Sequence, residues 1–175
     1  MTIVLLGSDT PIGSELSKIK WVVWIRTQDF DPRFAKLFDP IDVLINCLSL
    51  ENDNKDMWII YDTNVVGNER MKNIAYYNDA HYIWISSPRV WNWWDIYYED
   101  CFTHGDWTRY GNTMCLSELH IDTPKSTIIR GTPTKKMIED IIKNWIFWKV
   151  NIPWMYWEWD KWWVLLSNYR LCEKH

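Results

Sequence analysis

Two side chains have the types and the setting to polarise a carbonyl and protonate it, namely Ser87 and, twenty-three residues further on, Tyr110. Ser87 closes the apolar run His81-Tyr82-Ile83-Trp84-Ile85-Ser86-Ser87, which Pro88 stops. Tyr110 opens a stretch, Arg109 to about Leu119, that suits a helix. A hydroxyl at a strand end can orient a carbonyl oxygen while a neighbouring phenol donates the proton. The plainer reading stays open, since serines and tyrosines also line strand ends without reacting. His104 and Asp106 lie between the two but have no third group at the spacing of a triad or a metal site, and His81, His120 and His175 stand alone. Cys47, Cys101, Cys115 and Cys172 are scattered without a C-x-x-C pair, so neither a disulfide framework nor a zinc site is expected. Cys47 sits in an apolar run and reads as core.

A second chemical feature lies at the beginning, MTIVLLGSDTPIG. Ile3 to Leu6 are an unbroken apolar run, the pattern of a parallel strand buried on both faces. Gly7 ends it, and Pro11-Ile12-Gly13 reads as the start of a helix with proline in its first turn. A strand, a glycine turn and a helix N-terminus can cradle a pyrophosphate. The spacing Gly7-x-x-Thr10-x-x-Gly13 keeps two of the three glycines of a G-x-x-G-x-x-G dinucleotide fingerprint. Many strand-to-helix junctions in proteins that bind no nucleotide look the same.

These groups need a sheet to position them, and the rest of the chain supplies one. A short helix to Lys18 or Lys20 leads into Trp21–Ile25, a second apolar run expected to be a buried strand. At its end Arg26 precedes Asp29. An acid there would hydrogen-bond an adenosine ribose and an arginine would accept a 2′-phosphate, so Arg26 favours NADP(H) over NAD(H). Arg26 reads equally well as a solvated strand-end charge. A short helix from Pro32 to Phe38, a strand from Asp42 to Leu48 and a long helix to about Asn78 follow. Gly67 lies on the apolar face of that helix with Met71, Ile74 and Ala75, where close packing on a sheet would explain a glycine. The fourth strand is His81–Ser87 and the fifth Ser126–Arg130. Met137, Ile138, Ile141, Ile142 and Trp145 repeat at helical spacing, and Ile152–Leu166 suits one or two more strands. Strands alternating with helices imply an α/β fold, a Rossmann-like, doubly wound, mostly parallel sheet with flanking helices.

The 175 residues suit a single domain over 1–175, with 151–175 as a tryptophan-rich extension. Net charge is −4 with acids and bases interspersed, which argues against a nucleic-acid partner. No apolar stretch is long enough for a membrane span, and no basic region precedes the first apolar run as in a signal peptide. A cytoplasmic protein is expected, with a homo-oligomer left open. Fifteen tryptophans are unusual. Stacking on a sugar or base is one reading of them and compositional drift the other. Trp91, Trp93 and Trp94, between Ser87 and Tyr110, are placed to cover a site there.

Taken in order, these segments resemble an extended short-chain dehydrogenase/reductase, of the dTDP-4-dehydrorhamnose reductase and NAD-dependent epimerase group. The resemblance runs from Met1 to about Thr132. It rests on GSDTPIG, on DVLINC at 42–47, on DTNVVGNERMKNIA at 62–75, on ISS at 85–87, on RYGNTMCLSE at 109–118 and on STIIRGT at 126–132. It implies a nicotinamide cofactor and a nucleotide-sugar substrate. Gly7, Thr10, Pro11, Ile12 and Gly13 would then border the pyrophosphate, Arg26, Asp29 and Phe30 the adenosine, and Leu48 and Ser49 the cofactor beyond the third strand. Ser87 would orient the substrate carbonyl and Tyr110 would be the proton donor. Three departures bear on activity. Thr10 replaces the middle glycine, and Met114 stands where the family has a lysine that holds the nicotinamide ribose and lowers the tyrosine pKa. Only 45 residues follow Arg130, where the family has a longer sugar-binding region. The sequence therefore suggests weak or lost catalysis, with a non-catalytic nucleotide-binding module as the alternative.

Overall fold

The computed structural model describes residues 2–19, 22–32, 40–52, 54–90, 108–121, 125–130, 136, 138–140 and 164–167. Its elements are β1 (Ile3–Leu6), α1 (Pro11–Leu16), β2 (Val22–Ile25), β3 (Val43–Asn46), α2 (Met57–Tyr61), α3 (Gly67–Tyr77), β4 (His81–Ser86), α4 (Arg109–Leu119), β5 (Ser126–Arg130) and β6 (Val164–Ser167). The strand order is β2-β1-β3-β4-β5-β6. The first five run parallel, a Rossmann-like α/β arrangement, and β6 pairs antiparallel with β5, Arg130 opposite Val164. From β1 the chain goes outward to β2 and then back across to β3. That reversal makes a switch point between β1 and β3, and a crevice opens at such a point beyond the carboxyl ends of the strands.

Alternation along the strands divides the core in two. Val4, Leu6, Leu44, Tyr82, Trp84 and Ile128 face Met71 and Ala75 of α3 and Tyr110, Met114 and Cys115 of α4. Ile3, Leu5, Val43, Ile45, Ile83, Ile85 and Ile129 face Leu16 of α1 and Ile138. Each fully buried aliphatic side chain contributes roughly 1.5–3 kcal/mol. Both faces of β1, β3 and β4 are covered, so their sequences are continuous apolar runs. Cys47 is core as its setting implied, and burial pushes its thiol pKa up.

Three expectations are corrected. The second strand is not buried, because β2 is the edge of the sheet among the described residues and leaves Val23 and Trp24 52% and 56% exposed. Its apolar run matches that of β1, but the strand that would cover its outer side is absent from the described sheet. Helix α1 stops at Leu16, short of the lysines. Gly67 does not meet the sheet: a Cβ there would lie 2.9 Å from the Cβ of Pro32, so the glycine admits the loop after β2. The helix containing Gly67 is also not uniform, since Asp62–Val66 form a π-turn between α2 and α3. Beyond Pro32 itself, the expected helix from Pro32 to Phe38 lies outside the described residues, as do Trp91–Trp94 and the tail between 141 and 163.

Candidate active site

Tyr110 is fixed by the start of α4, where the Thr108 side chain caps the helix by accepting the Gly111 N–H at 2.9 Å. The ring is buried against the core, and its hydroxyl meets Ser49 Oγ at 3.3 Å. Ser87, one residue beyond β4, lies near enough to the phenol to lower its pKa, and its Oγ accepts the Arg89 N–H at 3.2 Å. Ser49 comes from the segment after β3, which two asparagines hold in place. Asn46 Oδ1 accepts the Leu48 N–H at 2.9 Å, and Asn64, from the π-turn, bonds both the N–H and the carbonyl of Leu50. The Asn64 amide also donates to Thr113 Oγ1 at 3.0 Å, tying that segment to α4. Sequence reasoning gave the two asparagines no role, although both lay inside the motifs quoted above, DVLINC and DTNVVGNERMKNIA.

Burial pushes the Tyr110 pKa up, against the lowering influence of the Ser49 and Ser87 side chains. Glu51 raises it further and Arg89 lowers it. Those two side chains pair at 3.0 Å, with the Arg89 guanidinium 5.7 Å from the centre of the Tyr110 ring. At neutral pH the phenol is therefore a proton donor. Met114, one turn along α4, is 0% exposed and packs in the same cluster as Tyr110 and Trp84. The next turn carries Glu118, whose carboxylate takes the Arg130 guanidinium at 2.5 Å and the Ser86 hydroxyl at 2.6 Å, all buried. This ion pair was not anticipated, although Glu118 and Arg130 both lay inside the motifs quoted above.

At the carboxyl end of β1, Gly7 adopts φ +79°, the left-handed region that glycine favours. A Cβ on Gly7 would sit 3.0 Å from Leu48, so the turn and the segment after β3 are in contact. Gly13 is required by packing, as a Cβ there would fall 1.9 Å from the Gly7 carbonyl oxygen. The turn's own N–H groups are largely engaged. Gly7 and Ser8 donate to the Ile25 carbonyl and Thr10 to the Gly7 carbonyl, while the Gly13 N–H goes to Thr10 Oγ1 at 3.0 Å. Pro11 has none. Ile12 turns its side chain toward the core. Beyond β2, Arg26 and Asp29 pair with each other at 2.8 Å, and Phe30 packs against the core.

The structure thus brings Ser49, Ser87 and Tyr110 together, sets Leu48 against the Gly7 turn, and places Arg26 and Asp29 at the far end of the same strand ends. The shape of the turn needs both glycines, Gly7 for its backbone conformation and Gly13 for the close approach of the Gly7 carbonyl. The turn offers a pyrophosphate fewer free N–H groups than three glycines followed by a residue with an N–H would. Among the described residues no group of three His, Cys, Asp or Glu converges as a metal site, and no helix is long and apolar enough to cross a membrane.

No protein-family model matches the chain, and no curated protein does. Solved structures do. A dTDP-4-dehydrorhamnose reductase of Clostridium acetobutylicum is 23% identical with a TM-score of 0.66, over 73% of this chain and 52% of that one. The dTDP-4-dehydrorhamnose reductase of Bacillus anthracis, solved in complex with NADP, is 14% identical with a TM-score of 0.63, over 73% and 51%. A short-chain dehydrogenase/reductase superfamily protein of Agrobacterium tumefaciens with bound NAD is 14% identical with a TM-score of 0.62, over 73% and 48%. The likeness establishes the fold, and the chain spans about half the length of these structures.

Proposed function

We propose that the chain is a nicotinamide-dinucleotide-binding protein of the sugar-nucleotide reductase and epimerase type, with weak or lost catalysis. The observation that carries this reading is the meeting of Ser49, Ser87 and Tyr110 hydroxyls at the carboxyl ends of β3 and β4, beside the Gly7 turn. Gly7, Thr10, Pro11, Ile12 and Gly13 would border the pyrophosphate, and Leu48 and Ser49 the nicotinamide half. A nicotinamide bound there supplies hydride chemistry. The chain's own part is to orient a 4-keto oxygen with the Ser87 hydroxyl and to give it the Tyr110 proton. The raised pKa keeps Tyr110 protonated at neutral pH, so the proton is there to give. It also makes the phenol a weaker acid and leaves little phenolate to act as a base in the reverse direction. The expectation of NADP(H) over NAD(H) rests on Arg26 alone, and the neighbours of Arg26 point the other way.

A non-catalytic nucleotide-binding module is the second reading, favoured by Met114, which supplies packing and no charge. Two measurements test the proposal. Tryptophan fluorescence should be quenched by NADPH or NADH, and a 4-keto sugar nucleotide should then be reduced slowly by the wild type and not by Tyr110→Phe. No quenching by either dinucleotide overturns the binding reading. Turnover unchanged in Tyr110→Phe overturns the assignment of the donor.

A further inference from the structure

The charges at the end of β2 do not leave Arg26 ready for a phosphate. Its Nε donates to Asp29 Oδ2 at 2.8 Å, with both side chains about half exposed. The Gln28 amide oxygen, in the orientation that satisfies its hydrogen bonds, accepts from both terminal nitrogens of Arg26 at 3.1 Å. A third charge arrives from the glycine turn. Asp9 Oδ1 accepts the Thr27 N–H at 2.6 Å and the Thr27 hydroxyl at 2.7 Å. Those bonds, with a smaller Coulombic contribution from Arg26, hold Asp9 in its carboxylate form. One guanidinium thus lies among two carboxylates, and the three side chains sum to a negative charge.

We propose that Asp9 and Asp29 make this rim select the nicotinamide dinucleotide whose adenosine ribose bears a free 2′-hydroxyl, NAD(H), over its 2′-phosphorylated form. The inference rests on the chain being a nicotinamide-dinucleotide protein. An acid at a strand end suits a ribose hydroxyl and an arginine suits a 2′-phosphate. Here both are present and engaged with each other, so their pairing settles nothing. Asp9 is the residue that tips the balance. A phosphate monoester brings a charge of about −1.5 to −2. To reach Arg26 it must displace Asp29 and approach Asp9, whereas a neutral ribose hydroxyl can donate to Asp29 with the ion pair intact. The groups are exposed, so screening keeps the effect moderate.

The full chain is titrated with NADH and with NADPH by calorimetry at low and at high salt. NADH should bind about tenfold more tightly at low salt, and the ratio should shrink as salt screens the carboxylates. Asp9→Asn keeps an oxygen for Thr27 and should strengthen NADPH binding by about tenfold with NADH nearly unchanged. Asp29→Asn, which releases Arg26, should also favour NADPH. NADPH binding as tightly as NADH overturns the inference, as does an NADH-to-NADPH ratio that Asp9→Asn does not move. Should Asp9→Asn fail to fold, a ratio in the wild type that is indifferent to salt overturns it equally. Binding of neither dinucleotide overturns the cofactor reading and this inference with it, while equal binding of both overturns this inference alone.

Discussion

Replacing Met114 with lysine introduces the charge that the resemblance implies one turn after Tyr110, but it does so at a position that is 0% exposed. The side chain lies in an apolar cluster with Trp84, Tyr110, Cys115 and Ile128. The carboxylate one turn further on, Glu118, is already occupied by Arg130. An ammonium there would be desolvated without a partner of its own, and burial of this kind lowers a lysine pKa by up to about 3–5 units. A drop of two to three units, at 1.36 kcal/mol each, costs roughly 3–4 kcal/mol at pH 7. The sign follows from proton counting. Between the lowered folded pKa and about 10.4 the unfolded chain binds the extra proton, so the deficit shrinks as pH rises through that window. Urea unfolding of Met114→Lys beside the wild type at pH 7 and pH 10 measures this, with the wild type cancelling the tyrosines common to both. The expected result is a deficit of roughly 3 kcal/mol at pH 7 that falls below about 1 kcal/mol at pH 10. Equal stability of the two proteins at pH 7 would refute the reasoning. It would mean that position 114 opens to the crevice.

Gly13→Ala places a Cβ 1.9 Å from a backbone oxygen, so the turn or α1 must move, and a loss of about 2 kcal/mol or more is expected in urea unfolding. Gly67→Ala meets the Pro32 ring at 2.9 Å instead, where the loop can give, so its loss should be the smaller of the two. His81 is buried beside Thr127, and burial, with a smaller contribution from Lys125, brings its pKa down to about 3. The unfolded chain binds this proton below about 6.5, so stability is full above that pH and falls as pH drops toward 3. Between pH 7 and pH 5 the loss should be about 2 kcal/mol, and His81→Gln should remove that slope. The same slope in both proteins would show that another group titrates there.

Much of the fold was legible because its signals are local. The run Ile3–Leu6, Gly7 and Pro11 announce a strand, a turn and a helix within thirteen residues, and the structure has all three. The run Val22–Ile25 looks the same, yet it is an edge, because burial depends on a neighbour that the run cannot encode. The hydroxyl cluster was partly legible, since Ser87 and Tyr110 sit at element ends, but the approach of Ser49 to Tyr110 spans 61 residues and depends on Asn64 holding Leu50. Arg26 was weighed with Asp29 alone because Asp9, which bonds the adjacent Thr27, comes from a turn eighteen residues before it.

The Glu118–Arg130 pair gives α4 a second anchorage. Tyr110 is held near one end of the helix by Ser49, and Glu118 near the other end by Arg130 and Ser86. The two points are about 12 Å apart along the axis and lie on the same side of it. Rolling or sliding the helix would break a buried ion pair, and stripping such a charge of its partner costs about 3–5 kcal/mol. The helix therefore acts as an abutment. A ligand arriving at the crevice finds the phenol already in place and bears little of the entropic cost of fixing it there. Whatever adjusts to the ligand must lie in the segments that face α4, not in α4 itself.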